Sequence, residues 1–352
     1  MTSPNPLVGA VVVKKGRILG EGYHIFQKLH HAEALALDQA GTEANGADLY
    51  VTLEPCHHQG RTPPCVDRIL KSGIRRVFVA TRDPNPKVRG GGIEALREKG
   101  IEVTCGICEQ EASEMNEIFF HFVRKQIPFI TLKLALSLDG KVATQDGASK
   151  WITGEKARKF VHFTRFLNDG ILIGINTLLK DDPSLDVRWR RKNSIRKIVL
   201  DSDLRTPLNA RLFDSGDPVL IFHGDSPGSW KGKRFPQHVQ LLEVKRTEDG
   251  LDWEQVAKSL GEQMIQSLLV EGGGLVAGTL MESRLVNRVL LFYGPKIIGS
   301  DGMPSFCLQG VSGLSDAVQV TLRKIRRFGN DFLVEADPLF GNPPDEINIG
   351  SH

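Results

Sequence analysis

The chain has 352 residues, more than one typical domain needs and enough for two. It is 40% hydrophobic and 25% charged, as ordinary globular proteins are, and its net charge of +3 argues against a dedicated nucleic-acid surface. No apolar run is long enough to span a membrane and no secretory signal opens the sequence, so the cytoplasm is the expected compartment.

LVGAVVVKKGRILGEGYH predicts two strands joined by a Lys-Gly turn. Residues 31–40 predict a helix with Gly41 past its end. DLYVTLEP is a short buried strand, followed by a loop with Cys56. PPCVDRILKSG is a helix with Pro64 in its first turn and Gly73 as its stop. RRVFVAT, GGIEALREKG and IEVTCGI continue as strand, helix and strand, and 109–125 as one long amphipathic helix. A hairpin followed by alternating helices and strands implies one sheet with helices on both faces.

Near Ile127 and Pro128 the pattern resets. PFITLKLALSLDG opens a second series, with IRKIVLDS, PVLIFHG, VQLLEVK and SLLVEGG as further strands and 252–264 and 274–285 as helices. VQVTLRKIRRFGNDFLVEAD predicts a closing hairpin around Gly329-Asn330. The boundaries are therefore expected at 1–126 and 127–338, with 339–352 a loose tail. The densest basic run, RWRRKNSIRK at 188–197, reads as a solvated loop.

His31 and Glu33 stand at the first turn of a predicted helix, and Cys56 and Cys65 follow in EPCHHQGRTPPC. One His and two Cys make a three-ligand zinc set with the fourth position left for water. Such a metal lowers the water's pKa from about 15.7 to about 7. Glu33, beside a ligand without being one, is placed to carry protons. Zinc deaminases of nucleobases pair H-x-E with P-C-x-x-C. Here His-Ala-Glu and Pro-Cys match, but eight residues separate the cysteines. Alternatively, His31 is a surface residue and both cysteines are core. His57 and His58, next to Cys56, are rival ligands without a carboxylate beside them. The five cysteines, an odd number, do not form a disulfide framework, and the Cys105-x-x-Cys108 pair reads as two small buried residues rather than a redox motif.

TSPNPLVGAVVV, HAEALAL, YVTLEPCHHQGRTPPC and RDPNPKVRGGGI together resemble the deaminase half of the bifunctional riboflavin-biosynthesis deaminase/reductase family. LKLALSLDGKVA, SKWITG, TLLKDDPSLDVR and LLVEGGGLVAGTL resemble its reductase half, so the resemblance covers roughly residues 2 to 338. It implies a cytidine-deaminase-like three-layer α/β/α domain followed by a dihydrofolate-reductase-like α/β domain. It also implies two reactions. A zinc-activated water removes the amino group of a diaminopyrimidinone carrying phosphoribosylamine, giving a uracil; NADPH then reduces the ribosyl group to ribityl. Glu33 would protonate the ring nitrogen and then the departing ammonia. By the same resemblance Asn5 and His24 hold the pyrimidine, and Arg61, Asp83 and Asn85 lie near the ribose phosphate. Turn chemistry is the other reading of Asn5, Asp83 and Asn85, since each adjoins a proline. The family usually has a helix before TSPNP, covering one face of the deaminase sheet, whereas Met1-Thr2 stand there in this chain. QKLHHAE also departs from the family's usual Gly-rich approach to His-Ala-Glu.

The second half lacks G-x-G-x-x-G, so a Rossmann dinucleotide site is not indicated. VEGGGLVAGTL instead joins a strand, three glycines and a helix, which would let a phosphate approach backbone N–H groups. The resemblance identifies it as the NADPH loop, lined by Gly273, Gly274, Leu275, Val276, Ala277, Gly278 and Thr279. It implies cofactor contacts from Ala135, Trp151, Thr177, Asp181 and Ser202, and substrate contacts from Ser149, Arg165, Leu185, Arg188 and Glu271. Arg165 and Arg188 are the candidates for a phosphate, because a planar fork binds two oxygens. Trp151 can also be read as a core aromatic, Asp181 as an acid in a turn, and Lys133 as a polar group near the reacting carbon. Small phosphorylated pyrimidines are the expected partners, with no nucleic acid and no membrane, and family members commonly associate as homo-oligomers through the reductase half. Three other readings are a reductase with an impaired deaminase domain, a nucleoside or nucleic-acid zinc deaminase with an unrelated second domain, and a non-catalytic protein whose structural zinc takes a fourth ligand from His57 or His58.

Overall fold

The computed structural model describes residues 3–24, 30–58, 63–85, 91–189, 195–225 and 234–340. Arg61, the QKL approach to His-Ala-Glu, the middle of the basic run and the tail past residue 340 lie outside them. The chain divides into two units, Met1–Gln126 and Ile127–His352.

In the first unit the order is β1 (Gly9–Lys14), β2 (Arg17–Tyr23), α1 (Ala32–Ala40), β3 (Asp48–Leu53), α2 (Cys65–Lys71), β4 (Arg76–Thr81), α3 (Gly91–Glu98), β5 (Glu102–Cys105), α4 (Glu109–Met115) and α5 (Glu117–Lys125). The sheet order is β2-β1-β3-β4-β5. β1 runs antiparallel to β2 and β3, while β3, β4 and β5 are parallel. Alternate residues Ala10, Val12, Leu49, Val51, Val77 and Val79 point to one face, where α1, α2 and α3 bury Ala36, Ile69, Ile93 and Leu96 against them. On β3 and β4, Tyr50 and Phe78 stack at 4.6 Å, and Tyr50 stays exposed.

Close backbone approach seats α1. A Cβ at Gly22 would lie 2.2 Å from the Ala32 carbonyl, and one at Gly20 2.1 Å from that of Ala36. With alanine every fourth residue on the facing side, α1 rests directly on β2, and this fixes the start of the helix that carries His31 and Glu33.

The long helix expected over 109–125 is two. It breaks at Asn116, whose side chain is buried and used elsewhere. Oδ1 accepts from the Leu7 N–H at 2.7 Å and Nδ2 donates to the Leu7 carbonyl at 2.9 Å. These two bonds, made to a segment 109 positions away, hold Asn116 where the helix breaks.

The second unit contains β6 (Phe129–Leu136), β7 (Lys141–Ala143), α6 (Glu155–Leu167), β8 (Gly170–Gly174), α7 (Ile175–Asp181), β9 (Arg196–Leu200), β10 (Val219–His223), β11 (Val239–Glu243), β12 (Arg246–Thr247) and β13 (Gly250–Leu251). It continues with α8 (Trp253–Glu262), β14 (Ser267–Val270), α9 (Gly274–Glu282), β15 (Val286–Tyr293), β16 (Met303–Pro304), β17 (Gln319–Phe328) and β18 (Asp331–Leu339). The main sheet has the order β11-β10-β9-β8-β14-β6-β15-β18-β17. From β11 to β15 neighbouring strands are parallel; β18 and β17 close the sheet antiparallel. Both faces are covered. Leu172, Ile198 and Phe222 belong to one core, while Ile171, Val199 and Ile221 belong to the other. Parallel strands buried on both sides read as continuous apolar runs, as GILIG does in β8. Lys197, the last cation of the run read as solvated, is fully buried in β9.

Candidate active sites

The His31 ring, at the N-cap of α1, makes no cap hydrogen bond. Its Nδ1 lies 3.2 Å from Cys65 Sγ and 3.5 Å from Cys56 Sγ. Cys65 opens α2, and its backbone N–H donates to Cys56 Sγ at 3.3 Å. The three ligand atoms lie within 4.8 Å of one another. Bonds of about 2.0–2.3 Å in a tetrahedron set ligand atoms about 3.5–3.8 Å apart, so one nitrogen and two sulfurs so placed suit zinc. Among the described residues no fourth protein ligand joins them. His57 and His58 are exposed and outside the group, so the closed, structural form of the site is not built.

The electrostatics are those of a thiolate site. The hydrogen bond from the Cys65 thiol, with that from His31, brings Cys56 down to about 4 against its burial. The same bond and burial hold Cys65 up as a thiol, and the Cys56 contact raises His31. Metal binding deprotonates its ligands, so loading this set would release a proton.

Glu33 lies in the first turn of α1. It is 4% exposed, and its carboxyl and the Cys65 thiol are hydrogen-bonded. Burial raises its pKa, keeping it able to hold a proton.

Asn5 and His24 meet beside this centre. Asn5 Nδ2 donates to His24 Nε2 at 3.0 Å, so the ring proton is on Nδ1, which donates to the His30 carbonyl at 3.1 Å. Burial lowers the His24 pKa, consistent with this neutral form. The His24 ring stands edge-on to His31 with centroids 5.8 Å apart. Asp83 is buried and does form the turn that its proline neighbour suggested: its Oδ1 accepts from Asn85 N–H at 2.8 Å. Burial pushes its carboxyl up to about 6.

Sequence reading missed Glu54. Buried two residues before Cys56, it accepts from Gly92 and Ile93 N–H at 3.1 and 3.2 Å, and from Asp83 N–H at 3.2 Å. It ties the cysteine loop to the start of α3 and to the Asp83 turn. Its only sequence signal was its place in LEPC. Cys105 and Cys108 are not buried as expected: Cys105 is partly buried and Cys108 exposed, at the left-handed start of α4.

In the second unit the sheet order places the candidates in a row. β9, β8, β14 and β6 are parallel neighbours. Ser202, Thr177, the stretch 271–274 and Ala135 therefore stand at or just past their carboxyl ends, where open α/β sheets bind ligands. Arg165, on α6, grips Glu271 with two bonds, Nε to Oε1 at 2.6 Å and Nη2 to Oε2 at 3.0 Å. Lys133 Nζ reaches the same carboxylate at 3.5 Å. Burial pushes Glu271 up, but Arg165 and Lys133 outweigh it and hold the group at about 2. The third arm of Arg165, Nη1, donates to the Asp186 carbonyl at 3.1 Å. Of the two arginines considered for a phosphate, Arg188 is the exposed one. Leu185, beside Asp186, is buried with φ of 52°. Ser149 is half-buried; its carbonyl accepts from Ile152 N–H at 3.2 Å.

Trp151 is no core aromatic. It is 60% exposed with the Arg158 guanidinium 4.5 Å from its ring centre. Asp181, at the end of α7, pairs with Lys150 at 3.1 Å. Two glycines of the 272–278 stretch are required by close packing. A Cβ at Gly274 would lie 2.3 Å from the Pro304 carbonyl and one at Gly278 2.2 Å from that of Cys307. Only Gly273 faces open space, with Leu275 exposed beside it. Ala277 and Gly278 are buried, half-buried Val276 packs against the main core, and Thr279 accepts from Trp253 Nε1 at 3.0 Å.

Comparison with known proteins agrees with both halves. Residues 1–81 match the cytidine and deoxycytidylate deaminase zinc-binding region, and residues 128–334 match the RibD C-terminal domain. The chain is 44% identical over 335 residues to the riboflavin biosynthesis protein RibD of Aquifex aeolicus, covering 95% of this chain and 92% of that one. Among solved structures, Acinetobacter baumannii RibD superposes with a TM-score of 0.86 at 32% identity, covering 96% and 94% of the two chains. A diaminohydroxyphosphoribosylaminopyrimidine deaminase/5-amino-6-(5-phosphoribosylamino)uracil reductase of Thermotoga maritima does so at 0.85 and 38%, covering 96% and 93%. The appended domain is therefore not an unrelated one. With a zinc-binding deaminase region joined to a RibD reductase domain over nearly its whole length, the chain belongs to the RibD family of bifunctional riboflavin-biosynthesis deaminase/reductases.

Proposed function

We propose that the first unit is a zinc-dependent deaminase of a diaminopyrimidinone bearing a phosphoribosylamino group. The second would then reduce the product, 5-amino-6-(5-phosphoribosylamino)uracil, with NADPH. The observation that carries the first half is the convergence of His31, Cys56 and Cys65 beside a buried Glu33. Zinc, when bound, makes a nucleophile of water at neutral pH. Glu33 would accept one proton from the attacking water and pass it to the ring nitrogen, then accept the proton of the hydroxyl so added to the carbon and pass it to the departing amino group, which leaves as ammonia while that oxygen becomes the carbonyl. Water and substrate in, uracil and ammonia out, balances the step. Asn5, oriented by His24, would hold the pyrimidine edge, and Asp83 and Asn85 would lie toward the ribose phosphate.

In the second unit NADPH, when bound, supplies the hydride, so the protein's work is positioning. Gly273 to Thr279, with Ala135, Trp151, Thr177, Asp181 and Ser202, form the cofactor side. Glu271 and Arg165 form a fixed polar floor for the substrate beside Lys133. Arg188 meets the phosphate, with Leu185 and Ser149 lining the same site. All five cysteines are free thiols, which suits a cytoplasmic enzyme. β17 is an edge strand with Leu322 and Ile325 exposed at 61% and 64%, which supports association of two copies through the reductase unit.

The test is a paired assay on zinc-loaded protein given the diaminopyrimidine and NADPH. Ammonia release leading NADPH oxidation supports both activities in that order. NADPH oxidation only with the uracil supplied would leave a reductase with a silent deaminase, and silence with both substrates would overturn the reading.

A further inference from the structure

Lys197 lies in β9 between Ile171 of β8 and Val219 of β10, and all three are fully buried. An ammonium in such an apolar stripe is costly unless its donors find acceptors. Nζ donates to the Leu212 carbonyl at 2.9 Å and to Ser215 Oγ at 2.7 Å. Asp186 Oδ1 and Asp217 Oδ2 stand at 3.5 and 3.6 Å. Ser215 Oγ donates onward to Asp217 Oδ2 at 2.7 Å. Leu212, Ser215 and Asp217 come from one turn, 212–217. Asp186 comes from a different segment and sits between Leu185 and Arg188.

Asp186 is held from its other side as well. Its carbonyl accepts from Arg165 Nη1 at 3.1 Å, and two residues on, Arg188 N–H donates to His162 Nδ1 at 3.4 Å. His162 and Arg165 are one turn apart on α6, so the helix grips the 185–188 segment and Lys197 grips it from within the sheet's core. Replacing a buried ion pair by apolar residues is often neutral or stabilising, so stability alone does not account for a lysine here.

We propose that Lys197 is a positioning residue of the reductase. By fixing Asp186 it holds Leu185 and Arg188 at the substrate. This rests on the reductase reading above and adds a residue to it that makes no substrate contact itself.

The test is a double-mutant cycle of Lys197→Met and Asp186→Ala in the full chain, followed by NADPH oxidation with the uracil substrate. Each single change should raise the KM for the uracil roughly fivefold, and the double no further, because both remove one interaction. kcat and the KM for NADPH should stay within about twofold, the pattern of a lost binding contribution. Asp186→Ala leaves Lys197 its partners Leu212, Ser215 and Asp217, so it tests the link even if Lys197→Met does not fold. An unchanged uracil KM in Asp186→Ala, or a Lys197→Met that lowers only Tm, would overturn the inference. No NADPH oxidation by the unaltered chain would instead remove the reductase reading, and this inference with it.

Discussion

Arg165 and Glu271 are locked together by two parallel hydrogen bonds of 2.6 and 3.0 Å, and each side chain is exposed by only 15% and 11%. Removing one member of such a pair strands the other charge. Glu271→Gln should therefore destabilise the second unit by about 3 kcal/mol, read as a drop in the urea midpoint. The pair also sets a pH dependence. Glu271 is held at about 2, below its ordinary 4.5, so its contribution is complete above pH 4.5 and is lost as pH falls toward 2. The difference between wild type and Glu271→Gln should narrow over that window and be flat above it.

Asp83 has the opposite sign. Burial raises its carboxyl to about 6 from 3.8, so the folded state binds the proton more tightly than the unfolded chain. Its contribution is present below pH 3.8 and declines as pH rises through about 6. Asp83→Asn should remove this component, so that the stability difference from wild type changes between those limits and nowhere else.

Glu33→Gln keeps the shape of the side chain and removes its proton chemistry. Ammonia release should fall by about 10²–10⁴, while zinc content by metal analysis and NADPH oxidation with the uracil stay as in wild type. A loss of zinc would assign Glu33 to holding the metal instead.

Chelation should separate the two activities. Dialysis against a strong chelator is expected to abolish ammonia release and leave NADPH oxidation with the uracil untouched, since His31, Cys56 and Cys65 all belong to the first unit. Restored zinc should restore the first activity.

Gly278→Ala and Gly273→Ala make a contrasting pair. The first puts a methyl 2.2 Å from the Cys307 carbonyl; the second puts one in open space. Gly278→Ala should cost about 1–3 kcal/mol and weaken NADPH binding, measured by melting and by cofactor titration. Gly273→Ala should leave the melting temperature in place.

What could be read from the sequence was chiefly what is local. His31, Glu33, Cys56 and Cys65 announced themselves because ligand chemistry restricts residue type and spacing, and the strands of the first unit were marked by turn residues at their ends. The helix break at Asn116 was invisible, because its cause is Leu7, more than a hundred positions away. Segments such as GILIGINTLL, strand β8 passing straight into helix α7, carry no alternation, since burial on both faces erases it. The role of Glu54 and the burial of Lys197 were equally hidden. Each depends on partners gathered by the fold, and the basic letters around Lys197 suggested water rather than core. The packing duty of Gly274 and Gly278 was hidden for the same reason: the neighbours that need the space, Pro304 and Cys307, come later in the chain.

Under the proposed function, that packing has a consequence for cofactor binding. The first turns of α9 are braced by the Pro304 and Cys307 backbone and by the Trp253 bond to Thr279. The loop at Gly273 therefore hangs from a braced frame, and if it receives NADPH as proposed, little conformational entropy should be surrendered on docking. Affinity at this site should then respond to loosening of the 304–307 bracing, a region that need never touch the dinucleotide.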